Sequence, residues 1–413
     1  MKIQRSKGTR DLSPQDMASF RLIESAFRDC CLKWGYQEVR TPTLEYLHLF
    51  TATGMLTPGM LSKAYSFLDW DGWSGERVVL RPDGTIPISR LYIDSMTKEK
   101  LAKLFYVANV FMFEATGKKT RERWQCGAEL IGAKPPLADI ELVMLALEVL
   151  RELKIEGIEL RLSHAGLIKA LLARLGLSAE EQIGMFDRIL DGDMKALEKL
   201  RLKRPELEKT IDSLLALKGK PSGFSKELKE LFAEDLPECK PYIENCTRIA
   251  EFLEAMGYDY RIDIASGRGF EYYTGVIFQI FKAEEKIGGG GRYDALIPLM
   301  GGKDVPASGF ALYLERLMTL IKPEALSAPQ PPRILIRAEA EKARDGFDIA
   351  RRLHKAGYRA ECYLGAQKEA DFDWTVDIKD KSPKFILTDQ AKKQKIAAET
   401  ADELLDLLKG QGR

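Results

Sequence analysis

The stretch that most constrains this chain is residues 261–296, where a strand, a polar turn, a second strand and a run of glycines follow one another. Residue alternation and β-branched content predict strands over 260–264 and 274–281. The turn between them carries an arginine, a carboxylate and two tyrosines. The glycines at 288–291 lack a Cβ, so a backbone loop there can approach a ligand closely. Taken singly, these features are typical of a hairpin turn and a buried tyrosine pair. Together they indicate a binding site on one hairpin.

The length and net charge of the chain limit which class of protein it can be and which partners it can bind. At 413 residues the chain is long enough for two or three domains, and 45% hydrophobic with 30% charged residues is typical of a soluble globular protein. The net charge of +1 provides no general attraction to nucleic acid, so we do not expect tRNA as a partner. No apolar run approaches the length of a membrane span, and the N-terminus lacks the apolar segment of a secretion signal. We therefore expect neither membrane insertion nor export.

Cysteines and histidines indicate no metal site. The six cysteines include no CxxC pair, and the three histidines lie far apart in sequence, at positions 48, 164 and 354. We therefore expect no metal, no cofactor and no disulfide framework, and a reduced cytoplasmic protein. A histidine acting as a general base stays open, although no motif contains one.

Composition along the chain predicts a core, a linker and a small second domain. Residues 1–327 form the predicted core, with a leucine-rich and highly charged helical insertion over about 165–256. Residues 328–332 contain three prolines and read as a stiff linker. Residues 333–413 alternate strand and helix patterns and predict a small α/β domain.

Residues 13–93 contain three local signals. Ser13-Pro14 predicts the start of a helix over 15–34. Pro42 interrupts a strand, which places it at an edge or bulge, where another subunit could be met. A hairpin with Asp71-Gly72 as its turn then leads to Asp83 and Thr85 at a strand-to-helix junction. At that junction Asp83 can be a helix cap or a ligand-binding carboxylate.

Five segments in order resemble class II aminoacyl-tRNA synthetases of the histidyl type, over residues 7–321. Residues 7–42 resemble the first motif, which builds the dimer interface of that family. Residues 111–132 resemble the second motif and 309–317 the third, while 268–275 and 288–296 resemble two histidine-specific signatures. The resemblance implies an α+β fold, an antiparallel sheet flanked by helices, that assembles as a dimer.

The same resemblance implies an amino-acid pocket for L-histidine. Carried over by position, the pocket would comprise Asp83, Thr85, Gln125, Glu129, Arg268, Tyr272 and Tyr273. Buried carboxylates can hold an ammonium and an imidazole N–H, and an arginine can pair with a carboxylate in charge-assisted bonds. Tyrosines supply apolar walls with a polar tip.

The catalytic part of the family pattern is incomplete. Active enzymes have an arginine at the place of Met112, where it holds the α-phosphate, and a thioether cannot donate a hydrogen bond or neutralise a phosphate. Losing one such donor typically costs roughly 10²–10³ in rate. Asp83 and Glu271 also stand where the synthetases have glutamate and aspartate. Glu114 and Arg316 remain, so the resemblance implies a degenerate nucleotide site made of Met112, Glu114 and Arg316.

This profile resembles the regulatory subunits of ATP phosphoribosyltransferase, and residues 162–177 are similar to that family's pattern. The resemblance implies a non-catalytic subunit that binds histidine and feedback-regulates a short-form catalytic subunit in the first step of histidine biosynthesis. The implied assembly is a hetero-octamer built on dimers of this chain. Two alternatives stay open: an active histidyl-tRNA synthetase with a divergent second motif, and a pocket used for another amino acid or partner.

Overall fold

The computed structural model describes residues 3–53, 61, 63–69, 75–113, 120–178, 181–182, 184–185, 188, 193, 195–205, 208–209, 211–212, 239–263, 272–322 and 331–411. The chain divides into two compact units, Met1–Leu326 and Ser327–Arg413. Glu114, Arg268, Glu271 and the predicted Asp71-Gly72 turn lie outside the described residues.

The first unit contains helices and strands in a mixed order. Its strands are β1 Gln37–Glu38, β2 Leu44–Tyr46, β3 Ser66–Leu68, β4 Arg77–Leu80, β5 Ala102–Phe111, β6 Glu122–Ile131, β7 Ile158–His164, β8 Tyr260–Ile262, β9 Val276–Lys282, β10 Glu285–Arg292 and β11 Ala307–Tyr313. Its helices are α1 Pro14–Lys33, α2 Leu47–Ala52, α3 Thr85–Leu91 with a π-helical turn at Tyr92–Met96, α4 Leu137–Glu152, α5 Ala165–Ala173, α6 Lys195–Lys203, α7 Lys240–Ala255, α8 Leu296–Leu299 and α9 Leu314–Leu320. None of these described helices is both long and apolar enough to span a membrane.

An eight-stranded sheet in the order β1-β5-β6-β11-β10-β9-β7-β8 forms the centre of this unit. Its pairs are antiparallel except at the two ends, where β1 runs parallel to β5 and β8 parallel to β7. The prediction that β8 and β9 form one hairpin is therefore wrong, because β7 lies between them and pairs with both. Short-range patterns predict strands but do not reveal which strand inserts between two others.

The run of four glycines is part of a strand and not a loop. Gly288 to Gly291 lie inside β10, paired with β11 on one side and with β9 on the other. Their lack of side chains serves close packing here, because a Cβ on Gly289 would lie 2.6 Å from the Phe278 carbonyl oxygen of the neighbouring strand. The glycine run therefore leaves this part of β10, in the middle of the sheet, without side chains.

Helix α1 starts and packs as its sequence predicts. Ser13 caps it: the Asp16 amide donates to the Ser13 hydroxyl at 3.1 Å and the Ser13 amide donates to the Asp16 carboxylate at 2.9 Å. The helix buries Phe20, Ile23 and Phe27 against one face of the sheet. The ring of Phe27 meets those of Phe105 and Phe310 edge-on, with centroids 5.9 and 6.3 Å apart. This face is the hydrophobic core, which leaves the other face for a site.

A second sheet of three strands, in the order β2-β4-β3, holds the segment that leads to α3. Pro42 separates β1 from β2, and the two strands belong to different sheets. β1 is at an edge of the large sheet, as a proline-interrupted strand predicts. β4 then delivers the chain to Asp83 and to α3.

The second unit is a five-stranded sheet with two helices. Its elements are β12 Arg333–Arg337, α10 Ala343–Lys355, β13 Arg359–Cys362, β14 Trp374–Ile378, β15 Phe385–Asp389, β16 Lys395–Ala398 and α11 Ala401–Gln411, with single 3₁₀ turns at Ala340–Lys342 and Glu369–Asp371. The strand order is β13-β12-β14-β15-β16, parallel over the first three strands and antiparallel beyond them. Its separate core includes Ile336, Leu353, Val376 and Leu387.

Candidate functional site

The face of the large sheet opposite α1 has a floor of small residues. On β6, alternation places Gln125, Gly127 and Glu129 on this face. Gly309 of β11 lies opposite Glu129, and Gly291 of β10 lies opposite Gly309. The central strands therefore present almost no side chains of their own beside Glu129, which leaves room there for side chains from other segments.

Glycine is required at these positions because larger groups lie across them. A methyl group on Gly309 would overlap the carboxylate of Glu129, and one on Gly127 would overlap the ring of Tyr106. A methyl group on Gly291 would lie 2.9 Å from the ring of Tyr273. The glycines thus admit the side chains that line the site.

Glu129 is the most enclosed of these side chains, with 0% of its surface exposed. The Thr85 hydroxyl donates to its Oε1 at 2.7 Å, the Tyr106 hydroxyl lies 3.5 Å from the same oxygen, and the Tyr293 hydroxyl donates to its Oε2. Burial raises the pKa of Glu129 to about 8, although these donors oppose the shift. At neutral pH this carboxyl is therefore largely protonated.

Asp83 is the second buried carboxyl, placed by the turn before α3. Its Oδ1 accepts the Ile86 amide at 2.9 Å, while its Oδ2 lies 3.5 Å from the Tyr272 hydroxyl. Burial raises the pKa of Asp83 to about 6, with backbone amides at the start of α3 opposing the shift. One oxygen therefore serves the helix, as the capping interpretation predicts, and the other faces the tyrosines of the site.

These two carboxyls lack a cation among the residues that the structure describes. Neither forms an ion pair with a described lysine, arginine or histidine, and charge on Asp83 adds to the upward shift of the Glu129 pKa after burial itself. Gln125, on the same face, also has a buried Oε1 without a hydrogen-bond partner in the described part of the chain. Buried carboxylates and amide oxygens are normally paired. The arrangement therefore favours a ligand that brings N–H groups and positive charge.

Aromatic rings lie beside the two buried carboxyls. Tyr272 meets Tyr273 and Tyr293 edge-on, with ring centroids 5.3 and 5.6 Å apart. Burial raises the pKa of each of these phenols well above its usual value, so all three remain neutral. The walls are thus apolar surfaces with hydroxyl tips, which suits a small planar ring.

Comparison with known proteins agrees with this geometry. A family model for histidyl-tRNA synthetase matches residues 8–317. A protein of Dehalococcoides mccartyi (strain BAV1), named ATP phosphoribosyltransferase regulatory subunit, is 48% identical over 409 residues, 99% of each chain. The chain belongs to the histidyl-tRNA synthetase-like family of ATP phosphoribosyltransferase regulatory subunits. The histidine–tRNA ligase of Methanocaldococcus jannaschii is less similar, 33% identical over 88% of this chain and 87% of its own.

Solved structures show the same fold. A structure titled ATP phosphoribosyltransferase regulatory subunit/histidyl-tRNA synthetase from Bacillus halodurans C superposes with a TM-score of 0.71 at 24% identity, covering 90% of this chain and 95% of that one. The histidyl-tRNA synthetase of Nostoc sp. PCC 7120 gives the same TM-score at 17% identity over 99% of both chains. The predicted class II synthetase-like fold is confirmed, and so is the expectation that this chain is a regulatory subunit.

Six of the seven residues that family resemblance predicts for the amino-acid pocket lie together in this regulatory-subunit fold. Asp83, Thr85, Gln125, Glu129, Tyr272 and Tyr273 are all at most 9% exposed. They come from three separate segments that the sheet brings to one place. Arg268 is outside the described residues.

The predicted nucleotide half is less complete. Met112 follows β5, and its amide donates to the Arg121 carbonyl at 2.9 Å, so Arg121 lies across the ladder from it. The Arg121 guanidinium is stacked 4.6 Å from the Phe113 ring centroid. Arg316 on α9 is 54% exposed and pairs with Glu285. Met112 thus directly follows β5 and Arg316 is on α9, while Glu114 is outside the described residues.

Sequence reasoning missed two tyrosines of the site. Tyr106 stands in an alternating strand and Tyr293 is the second residue after the glycine run, so their position in those motifs was the available signal. Arg292, in the same motif, is structural: its guanidinium is 2.7 Å from Asp139 and 2.9 Å from Asp294, buried away from the pocket tyrosines. A buried arginine held by two carboxylates fixes the end of β10.

The raised pKa of Glu129 predicts a pH-dependent stability. The folded chain keeps a proton at Glu129 up to about pH 8, whereas the unfolded chain releases it near 4.5, so stability is greatest below 4.5 and falls as pH rises to about 8. Without ligand, we expect the free energy of unfolding to fall by roughly 3–5 kcal/mol more in the wild type than in Glu129→Gln across this interval. Urea unfolding at pH 5, 6, 7 and 8 measures both slopes. Identical slopes would contradict the buried-carboxyl assignment.

Proposed function

We propose that this chain is the histidine sensor of a two-component ATP phosphoribosyltransferase. It binds L-histidine in the pocket around Glu129 and passes occupancy to a separate short catalytic subunit, which histidine thereby inhibits. Such control requires that histidine bind two states of the assembly unequally. The name of the regulatory-subunit relatives supports the existence of a catalytic partner.

One observation supports histidine above all: two enclosed carboxyls, Asp83 and Glu129, sit among neutral tyrosines with no described cation beside them. A free amino acid whose side chain also carries an N–H meets both carboxyls, the α-ammonium at one and the ring N–H at the other. The Gln125 oxygen supplies a further acceptor. An imidazole is also small and planar enough for the walls formed by Tyr272 and Tyr273.

Calorimetry tests this assignment on the purified chain. We expect L-histidine to bind more tightly than any of the other nineteen common amino acids, because only its ring offers an N–H donor of this size to a carboxyl and a hydroxyl together. Lysine and arginine are the sharpest competitors, since they carry two cations but no compact aromatic ring. Tighter binding of another amino acid would assign the pocket to that ligand and refute the histidine sensor.

The proposed assembly is a hetero-oligomer built on dimers of this chain. Its support is an exposed apolar face on the three-stranded sheet, where Tyr46 of β2, Val78 of β4 and Phe67 of β3 lie side by side. Tyr46 and Phe67 are 45% and 44% exposed, and the adjacent Leu44 is 46% exposed. Contiguous exposed apolar side chains of this kind mark protein interfaces, and β2 of this sheet follows closely on residues 7–42, the segment that resembles the dimer-forming motif.

This face predicts the effect of a charge. Phe67→Asp should convert a dimer of the 46.6 kDa chain to monomer at micromolar concentration, because burying an unpaired carboxylate in an apolar interface is strongly unfavourable. Phe347→Asp, at a 62% exposed position of the second unit, is the matched control. Light scattering on a sizing column measures both. A Phe67→Asp protein that stays dimeric would place the interface elsewhere.

An active histidyl-tRNA synthetase is the second candidate function. It is favoured by the 33% identity to a histidine–tRNA ligase and by the retained pocket. Met112 at the phosphate-binding position argues against it, as does a net charge of +1 that provides little attraction to tRNA. Histidine-dependent ATP–pyrophosphate exchange, which only the active synthetase should catalyse efficiently, distinguishes the two candidates.

A further inference from the structure

The pocket wall formed by residues 272–275 has two sides. Its side chains face the site, with Tyr272 toward Asp83 and Tyr273 packed across Gly291. Two of its backbone carbonyls, those of Tyr273 and Gly275, are instead bonded to a neighbouring helix. A ligand that displaces the side chains of this wall would therefore also displace the backbone carbonyls that are bonded to the helix.

The helix that receives these carbonyls is α5. The Ala165 amide, at the first position of the helix, donates to the Gly275 oxygen at 2.9 Å. One turn later the Lys169 Nζ donates to the Tyr273 oxygen at 3.2 Å. Two bonds one turn apart fix both the position and the rotation of α5 relative to the wall, because helical residues four apart lie on one face.

Helix α5 is also where the helical segment joins the sheet. The Leu167 amide donates to the Nδ1 of buried His164 at 3.3 Å, which ties the helix start to the end of β7. A Cβ on Gly166 would lie 2.8 Å from the Tyr242 ring of α7, so α5 and α7 are in close contact. Helix α7 returns the chain to β8 at the end of that segment. Movement of α5 would therefore reach the helical segment at both its ends.

We infer that Ala165 and Lys169 are positioning residues that hold the 272–275 wall against α5, and that through them occupancy of the pocket is transmitted to the helical segment between β7 and β8. This rests on the proposed histidine pocket. It adds the route by which a bound ligand changes a surface outside the pocket. The coupling depends on two hydrogen bonds and a helix contact, so substitutions of the residues that form them can test it.

Amide hydrogen exchange on the full chain tests this route, with L-histidine as the probe. In the wild type we expect exchange over residues 165–173 to slow by about 3- to 10-fold on adding saturating histidine, the range expected when one hydrogen bond is strengthened. Ala165→Pro removes the single amide that bonds Gly275, and proline suits the first turn of a helix that follows an extended residue. In this variant the slowing should disappear. Ala165→Gly keeps the amide and should retain the slowing.

A second pair of variants keeps the test decisive if Ala165→Pro does not fold. Lys169→Met removes the donor to Tyr273 and keeps the aliphatic stem, and it should reduce the slowing, whereas Lys169→Arg should restore it. Each is also measured in the complex with the catalytic subunit. We expect saturating histidine to inhibit the Lys169→Met complex less fully than the Lys169→Arg complex.

The outcomes separate the route from the pocket. Histidine that binds the wild type in calorimetry while α5 exchange stays unchanged would overturn the route and leave the pocket intact. Full inhibition of the Lys169→Met complex at saturating histidine would also overturn the route, because Lys169 would then contribute only to the structure of the pocket. Wild type that binds no histidine in calorimetry would instead overturn the proposed function, and the route with it.

Discussion

We expect Glu129→Gln to lower the affinity of this chain for L-histidine by roughly 10- to 100-fold, the loss expected when a hydrogen bond to a charged group is removed. The substitution keeps the shape of the side chain, so Thr85 and Tyr293 retain one partner each. What it removes is the charge that a bound cationic N–H requires. Calorimetry on the purified chain measures the affinity. In the complex with the catalytic subunit, the histidine concentration for half-inhibition should rise by the same factor.

Glu122→Gln is the matched control for this prediction. Glu122 lies on the same strand, β6, and accepts a hydrogen bond from the Asn109 amide at 2.9 Å, away from the pocket. The same chemical change there should leave histidine affinity within about twofold, because Glu122 does not contact the described pocket residues. If Glu129→Gln binds histidine as tightly as Glu122→Gln, the assignment of the pocket is wrong.

We expect histidine-dependent ATP–pyrophosphate exchange by this chain to be slower by at least a factor of roughly 10²–10³ than in an active histidyl-tRNA synthetase assayed alongside, the typical cost of losing one preorganised donor to a developing charge. Met112 supplies neither charge nor donor at the position where the active enzymes carry arginine. Robust exchange would refute the regulatory function and favour the charging enzyme.

Arg121 is the side chain that would account for such a result. It lies across the ladder from Met112, and its guanidinium is stacked on Phe113. Were exchange observed, Arg121→Met would show whether this cation replaces the missing one: a loss of exchange in that variant would assign it the role. With no exchange in the wild type, Arg121→Met serves as the background control.

Several elements followed from local pattern because local forces determine them. Helix α1 begins at its capping box and buries the face given by Phe20, Ile23 and Phe27, as spacing and capping chemistry predict. The strand pairs β3–β4 and β5–β6 were also predictable, since each pair is joined by a short connection with alternating flanks. The site residues on these elements, from Asp83 to Glu129, were reached through the family motifs they belong to.

The hairpin around residues 260–281 was predicted wrongly, and the reason is topological. β7, from about a hundred residues earlier in the chain, lies between β8 and β9 and pairs with both. Nothing in the short-range pattern of β8 or β9 distinguishes pairing with each other from pairing with a distant strand, because register is decided by long-range contacts. The same limit made the glycine run look like a loop, when its neighbours on both sides are strands.

The sequence by itself determined the kinds of groups available: carboxyls, tyrosines and glycines in family order, and a methionine where a phosphate-binding arginine is expected. Only the tertiary structure decided that Glu129 lies over Gly309, that Tyr106 and Tyr293 share its oxygens, and that the backbone of the pocket wall is bonded to α5. The physical reason is that residue chemistry is local, whereas burial and the pKa shifts it causes arise from atoms that are distant in sequence and meet only when the sheet forms.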